Sequence, residues 1–184
     1  MFSRLHNLFK FVDATVDTIY QQHADEVQCK PGCADCCHAV FDISFIEAAN
    51  LAVFLSARQE ILEKQHEAAM QAAVAYEQLI KNDKDPAAER IRCPLLGQDN
   101  LCLAHSERPI NCRTYGTPTI INGQTHVCGL SNFDNQLRYP TIDLAPLQDS
   151  LHQYSLDLAG EPVGSRRFPI AWVLLKTGYF LPNT

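Results

Sequence analysis

Cys29-Lys30-Pro31-Gly32-Cys33-Ala34-Asp35-Cys36-Cys37 puts four thiols within nine residues. The chain holds four more, spaced widely: Cys93-x8-Cys102-x9-Cys112-x15-Cys128. Thiolates are soft ligands suited to iron–sulfur clusters, zinc or copper(I). Each must lose a proton to bind, so a site with four thiolates carries a charge of −4 before the metal is counted. One buried cysteine behaves as a small hydrophobe, but that reading does not extend to Cys29, Cys33, Cys36 and Cys37 together. Pro31-Gly32 is a turn that brings Cys29 back toward Cys33. If Cys33 to Cys37 is helical, Cys33 shares a face with Cys36 and Cys37. The adjacent Cys36 and Cys37 then point in different directions, and one of them binds a different metal from its neighbour, or none. The crowding implies a site completed by cysteines from beyond the intervening helices. Zinc ribbons use two separated pairs, which this spacing does not match.

The segments around the cysteines read as helical. Phe2, Leu5, Leu8, Phe9, Val12, Val16, Ile19 and Tyr20 recur at helical spacing, which predicts a packing helix from Phe2 to about Glu26. Ser44 followed by Glu47 fits a capping box and opens a helix over about Ile46 to Ala57. A second helix is expected over about Glu60 to Lys81, ended by Asn82 to Asp85 and Pro86. From Cys93 to about Pro140, turn formers such as Gly97, Pro109, Gly116 and Gly123 predict irregular chain. That stretch is expected to hold one helical turn near His105 to Arg108 and a small hairpin at Asn122-Gly123. So long a loop-rich stretch needs a constraint, which metal ligation supplies. Helices are expected at Leu147 to Leu158 and Ile170 to Lys176. The fold class expected is mainly α: a small helical domain with an irregular cysteine-rich metal-binding section at about 29–128, all within one domain of residues 1–184.

Composition narrows the function. The chain has 184 residues, 46% of them hydrophobic and 20% charged, as in ordinary globular proteins. Its formal net charge is −6, from 15 basic and 21 acidic residues. With no dense Lys or Arg run, nucleic acid is not expected as a partner. No stretch reaches the roughly 20 apolar residues that span a bilayer, and Arg4, His6, Lys10 and Asp13 interrupt any signal-like apolar run. We therefore expect a cytoplasmic protein without membrane attachment. In a reducing cytosol, clustered thiols point to metal or redox chemistry rather than disulfides.

Cys29-x3-Cys33-x2-Cys36-Cys37, Cys93-Pro94-Leu95-Leu96 and Arg108-Pro109-x2-Cys112-Arg113 together resemble the bacterial cysteine-cluster family with the CxxCxxCC signature, a zinc- or iron-chelating domain with eight cysteines. This chain has three residues rather than two between its first two cysteines. The resemblance covers about Cys29 to Cys128. It implies that Cys29, Cys33, Cys36, Cys37, Cys93, Cys102, Cys112 and Cys128 are metal ligands. Flagellin lysine N-methylases resemble the family in carrying such a module, linked there to an iron–sulfur cluster. This chain has no recognisable glycine-rich S-adenosylmethionine loop after a strand.

The cofactor favoured is an iron–sulfur cluster, with zinc or iron ions as the alternative, in a binding protein for redox, sensing or metal handling. A metal-dependent enzyme is a second reading, with His38, His105, Tyr115 and His126 as nearby polar residues. Structural zinc is a third. Dithiol chemistry at Cys33-x2-Cys36 lacks the strand-then-helix context it needs. Arg90, Arg92, Arg108 and Arg113 lie close to cysteines in sequence and are expected to offset thiolate charge.

Overall fold

The computed structural model describes residues 1–134 and 136–182. Mainly helical, as expected, the described chain contains α1 (Ser3–Gln22), α2 (Phe45–Ser56), α3 (Gln59–Lys81), α4 (Ile110–Thr114), α5 (Ala145–Ala159), α6 (Ile170–Leu175) and α7 (Thr177–Phe180). Its strands are short: β1 (Ile43–Ser44), β2 (Thr119–Ile121), β3 (Gln124–His126), β4 (Ile142–Asp143) and β5 (Arg167–Phe168).

The packing centres on α2. Nine of its residues are buried, Phe45 to Ala52 without interruption and then Leu55. A helix apolar all round belongs inside a core rather than on a surface. One side of α2 packs with α6, α7 and Phe168. Ile46 faces the other way, into a second apolar cluster where α1 meets α5 through Leu5, Phe9, Val12, Leu147 and Leu151. The helical spacing read in α1 is thus its buried face.

Ser44 and Glu47 form the predicted capping box. Glu47 is almost fully buried at 3% exposure. It accepts from Ser44 N at 2.9 Å and Ser44 Oγ at 2.7 Å through one oxygen. Through the other it accepts from Ile110 N at 2.8 Å. One carboxylate therefore caps two helices, α2 and α4.

Several expectations are corrected. α1 stops at Gln22 rather than near Glu26, because His23 to Val27 fold into a turn. Asn132 N then draws in Glu26 O at 2.8 Å. The stretch 93–140 is less irregular than its turn formers suggest. It holds α4 and the hairpin β2-β3, which β4, just beyond it, extends to a three-stranded sheet ordered β3-β2-β4 with β2 and β4 parallel. The predicted hairpin is there, and Asn122 and Gly123 both adopt positive φ, 51° and 76°. This is the backbone that a two-residue primed turn requires. Cys33 to Cys37 is not an α-helix; only Asp35–Cys37 forms a tight 3-10 turn. Cys33 closes a separate turn, donating to Lys30 O at 2.9 Å across Gly32, whose φ is +89°.

Candidate metal centre

Backbone hydrogen bonds join the cysteine segments to one another. Cys93 N donates to Cys37 O at 2.7 Å, and Ile91 N to His38 O at 3.0 Å. An isolated antiparallel bridge joins Ala39 to Arg90. These contacts stitch the 29–41 segment to the 90–93 segment. A tight loop then folds back, with Leu103 N on Leu95 O at 2.8 Å and a bridge between Leu96 and Cys102. Cys112 rides on α4, whose first N–H is held by Glu47. The Cys128 segment is tied by Asn132 N to Glu26 O, three residues before Cys29.

The result is one cavity of about 560 Å³ lined by all eight cysteines. None forms a disulfide. Among the described residues, no three thiol, imidazole or carboxylate groups stand at coordinating distance of one point. Cys93, Cys102, Cys112, Cys36 and Cys37 influence one another and form the deeper part. Cys29, Cys33 and Cys128 lie toward the rim. Cys36 and Cys37 do not turn away from each other as their adjacency suggested. The two thiols act on each other: Cys37 brings the Cys36 pKa down to about 7, and Cys36 pushes that of Cys37 upward.

The surroundings suit thiolates in two ways. Leu130 N donates to Cys128 Sγ at 3.4 Å, and the backbone N–H groups of Leu95 and Ala104, two residues on from Cys93 and Cys102, work against the upward shift of those thiols. Such bonds stabilise the charged sulfur. Arg108 is the cation that acts on Cys36, Cys102 and Cys112, and Arg92 acts on Cys93. The other two arginines work on the scaffold. Arg113 is buried, pairs with Asp13 at 2.6 Å, donates to Arg108 O at 2.6 Å and stacks 4.0 Å over Phe9. It ties the loop before α4 to α1. Arg90 pairs with Asp35 and so anchors the 3-10 turn.

Of the four polar residues singled out in the sequence, His105 and Tyr115 line the cavity. Burial, with Arg108 and Arg113 beside it, lowers the His105 pKa. His38 Nδ1 lies 3.0 Å from Ala34 O and closes its own turn, while His126 sits on the exposed strand β3. Three residues at the centre were not singled out. Tyr20, read only as core, has its hydroxyl on Cys29. Asp35 accepts from Tyr115 Oη at 2.7 Å and from Cys128 Sγ at 3.5 Å. Gly116, with φ +96°, lets Cys29 Sγ approach its backbone. Only Asp35 left a local trace, a carboxylate set between Cys33 and Cys36.

Burial dominates the other thiols. It pushes Cys93 up to about 12, Cys112 well above the ordinary value, and Cys29, Cys102 and Cys128 upward. In the unfolded chain these thiols ionise near pH 8.5. Their folded pKa values are raised, so the native state binds more protons above that pH. The stability they contribute is fully present below about pH 8.5 and lost as pH climbs toward about 12. Cys36, shifted down, opposes this only between about 7 and 8.5. Reduced, metal-free protein is therefore expected to show a lower urea midpoint at pH 10 than at pH 7.5. Zinc affinity is expected to rise over the same range, because binding needs deprotonated sulfur. A midpoint that climbs with pH would contradict the protonated core of thiols.

A family model, CxxCxxCC, described as "Putative zinc- or iron-chelating domain", matches residues 28–129. That span is more than half of the chain and contains all eight cysteines, so the chain belongs to this family. No curated protein and no solved structure matches it. No described helix is long and apolar enough to cross a membrane.

Proposed function

We propose that this member of the zinc- or iron-chelating CxxCxxCC family uses its eight cysteines as metal ligands and holds an iron–sulfur cluster on them, for electron transfer, sensing or iron handling. The observation that carries the reading is the meeting of eight unpaired thiols, from four separately anchored segments, around one cavity of about 560 Å³. A single tetrahedral ion needs four donors about 2.3 Å away and no free space. Eight unpaired thiols lining one cavity are more donors than one tetrahedral ion takes, which suits a polynuclear group better. Sulfur-directed N–H donors and nearby cations tune such clusters. Both are present, in Leu95, Ala104, Leu130 and Arg108.

When bound, the cluster supplies one-electron chemistry. The protein's part is to hold thiolates apart, direct N–H groups at three of them, and cover the deep end with α2 and α4. Protein prepared without oxygen is expected to be brown, to contain iron and acid-labile sulfide, and to give a cluster-type Mössbauer spectrum. Colourless protein holding only zinc after growth with ample iron would overturn the cluster and leave a zinc-pinned fold.

A further inference from the structure

We propose that the rim of the cavity is a separate mixed sulfur–oxygen metal site, in which Asp35 is a ligand together with Cys128, Cys29 and Cys33. The inference rests on the metal-chelating reading above. It adds an oxygen donor and a division of the thiols that the cysteine signature does not contain.

The geometry starts at Cys128. Its Sγ lies 3.5 Å from Asp35 Oδ2. For a tetrahedral ion with a sulfur at about 2.3 Å and an oxygen at about 2.0 Å, the sulfur–oxygen edge is about 3.5 Å. The two donors thus already stand at ligand spacing. Leu130 N donates to the same sulfur at 3.4 Å, as it would to a metal thiolate.

Asp35 is set for one-oxygen ligation. Arg90 holds Oδ1, and Tyr115 Oη donates to Oδ2 at 2.7 Å. A carboxylate oxygen keeps a second lone pair after such a bond, and that one faces Cys128. Hydrogen-bonded carboxylates fixed in this way are the usual supporting arrangement for metal ligands. Cys29, whose Sγ lies 3.8 Å from Tyr115 O, and Cys33, held by the turn that Pro31-Gly32 opens, would complete the set by side-chain rotation. The deeper thiols of Cys36, Cys37, Cys93, Cys102 and Cys112 remain as a sulfur-only set. A site with an oxygen donor is harder, and it favours zinc or ferrous iron over copper(I).

The test is a titration of reduced, metal-stripped, full-length protein with ¹¹³Cd²⁺, followed by NMR. Two classes of bound cadmium are expected. One should resonate in the all-thiolate range, the other shifted upfield as in a three-sulfur, one-oxygen site. Asp35→Asn should abolish the second resonance and weaken that equivalent about tenfold or more, leaving the first in place. Cys128→Ser should remove the same resonance. Tyr115→Phe, which deletes only the supporting hydrogen bond, should keep both ions. If Asp35→Asn retains both equivalents and both resonances, Asp35 is only a hydrogen-bond acceptor and the proposal falls. A single, all-sulfur class in the unaltered protein would overturn it equally. Failure of the unaltered protein to take up any cadmium would instead overturn the chelating function itself.

Discussion

Glu47→Ala is expected to lower the stability of the metal-free protein by about 3–5 kcal/mol. Glu47 is 3% exposed and accepts three hydrogen bonds. Alanine leaves the N–H groups of Ser44 and Ile110 without partners where water cannot replace the carboxylate. Each orphaned buried donor costs about 1–3 kcal/mol. Against a total of about 5–15 kcal/mol for an ordinary domain, that loss brings the protein near its threshold. Glu47→Gln keeps one acceptor oxygen but turns an amide toward one of the donors, so its urea midpoint should fall between those of the other two proteins. The effect is not confined to α2. Ile110 N is the first helical N–H of α4, and α4 carries Cys112. Cys112 should therefore react faster with thiol reagents in Glu47→Ala under conditions where the fold persists. Equal midpoints for the unaltered and alanine proteins would remove Glu47 as the joint between the two helices.

Glu47 also shows what the sequence makes legible. Its bond to Ser44 spans three residues, and the capping box can be read from the letters alone. Its bond to Ile110 spans 63 residues, and no local pattern announces it. That is why α2 and α3 are predicted to within about a residue while α4 is read as irregular chain. α4 is five residues long, too short for helical periodicity to register, and its start is set by a distant carboxylate. The same division runs through the site. The eight cysteines, the turn at Pro31-Gly32 and the Asn122-Gly123 hairpin depend on near neighbours and are visible. Asp35 earns its place through Tyr115, 80 residues away, and Cys128, 93 away. Arg113 looks like a cation for thiolates because it follows Cys112. In the fold it points to Asp13 instead, since a buried guanidinium needs a carboxylate and carbonyls.

Gly116→Ala tests the closest approach in the rim, and its effect should separate into two parts. A Cβ at this position would lie 2.2 Å from Cys29 Sγ and 3.3 Å from the Tyr20 hydroxyl. The first distance is far inside van der Waals contact, so Cys29 must move. The residue also holds φ at +96°, where a side chain is strained by about 1–3 kcal/mol. Displacing the sulfur adds an overpacking cost of about 1–3 kcal/mol, for a combined loss of about 2–6 kcal/mol. Only the second part depends on Cys29. In Cys29→Ala the sulfur is gone, and adding Gly116→Ala should then cost the backbone strain alone. The double-mutant cycle should show a coupling of about 1 kcal/mol or more between the positions. Additive losses would mean that the chain relieves the contact by moving the 114–118 backbone, and that Cys29 keeps its place. Metal uptake distinguishes the same outcomes. With Cys29 pushed aside, Gly116→Ala should weaken the rim equivalent of cadmium and spare the deeper one. If both are lost together, the rim and the deep thiols form one site, and the closeness of Cys29 to Gly116 serves the whole centre.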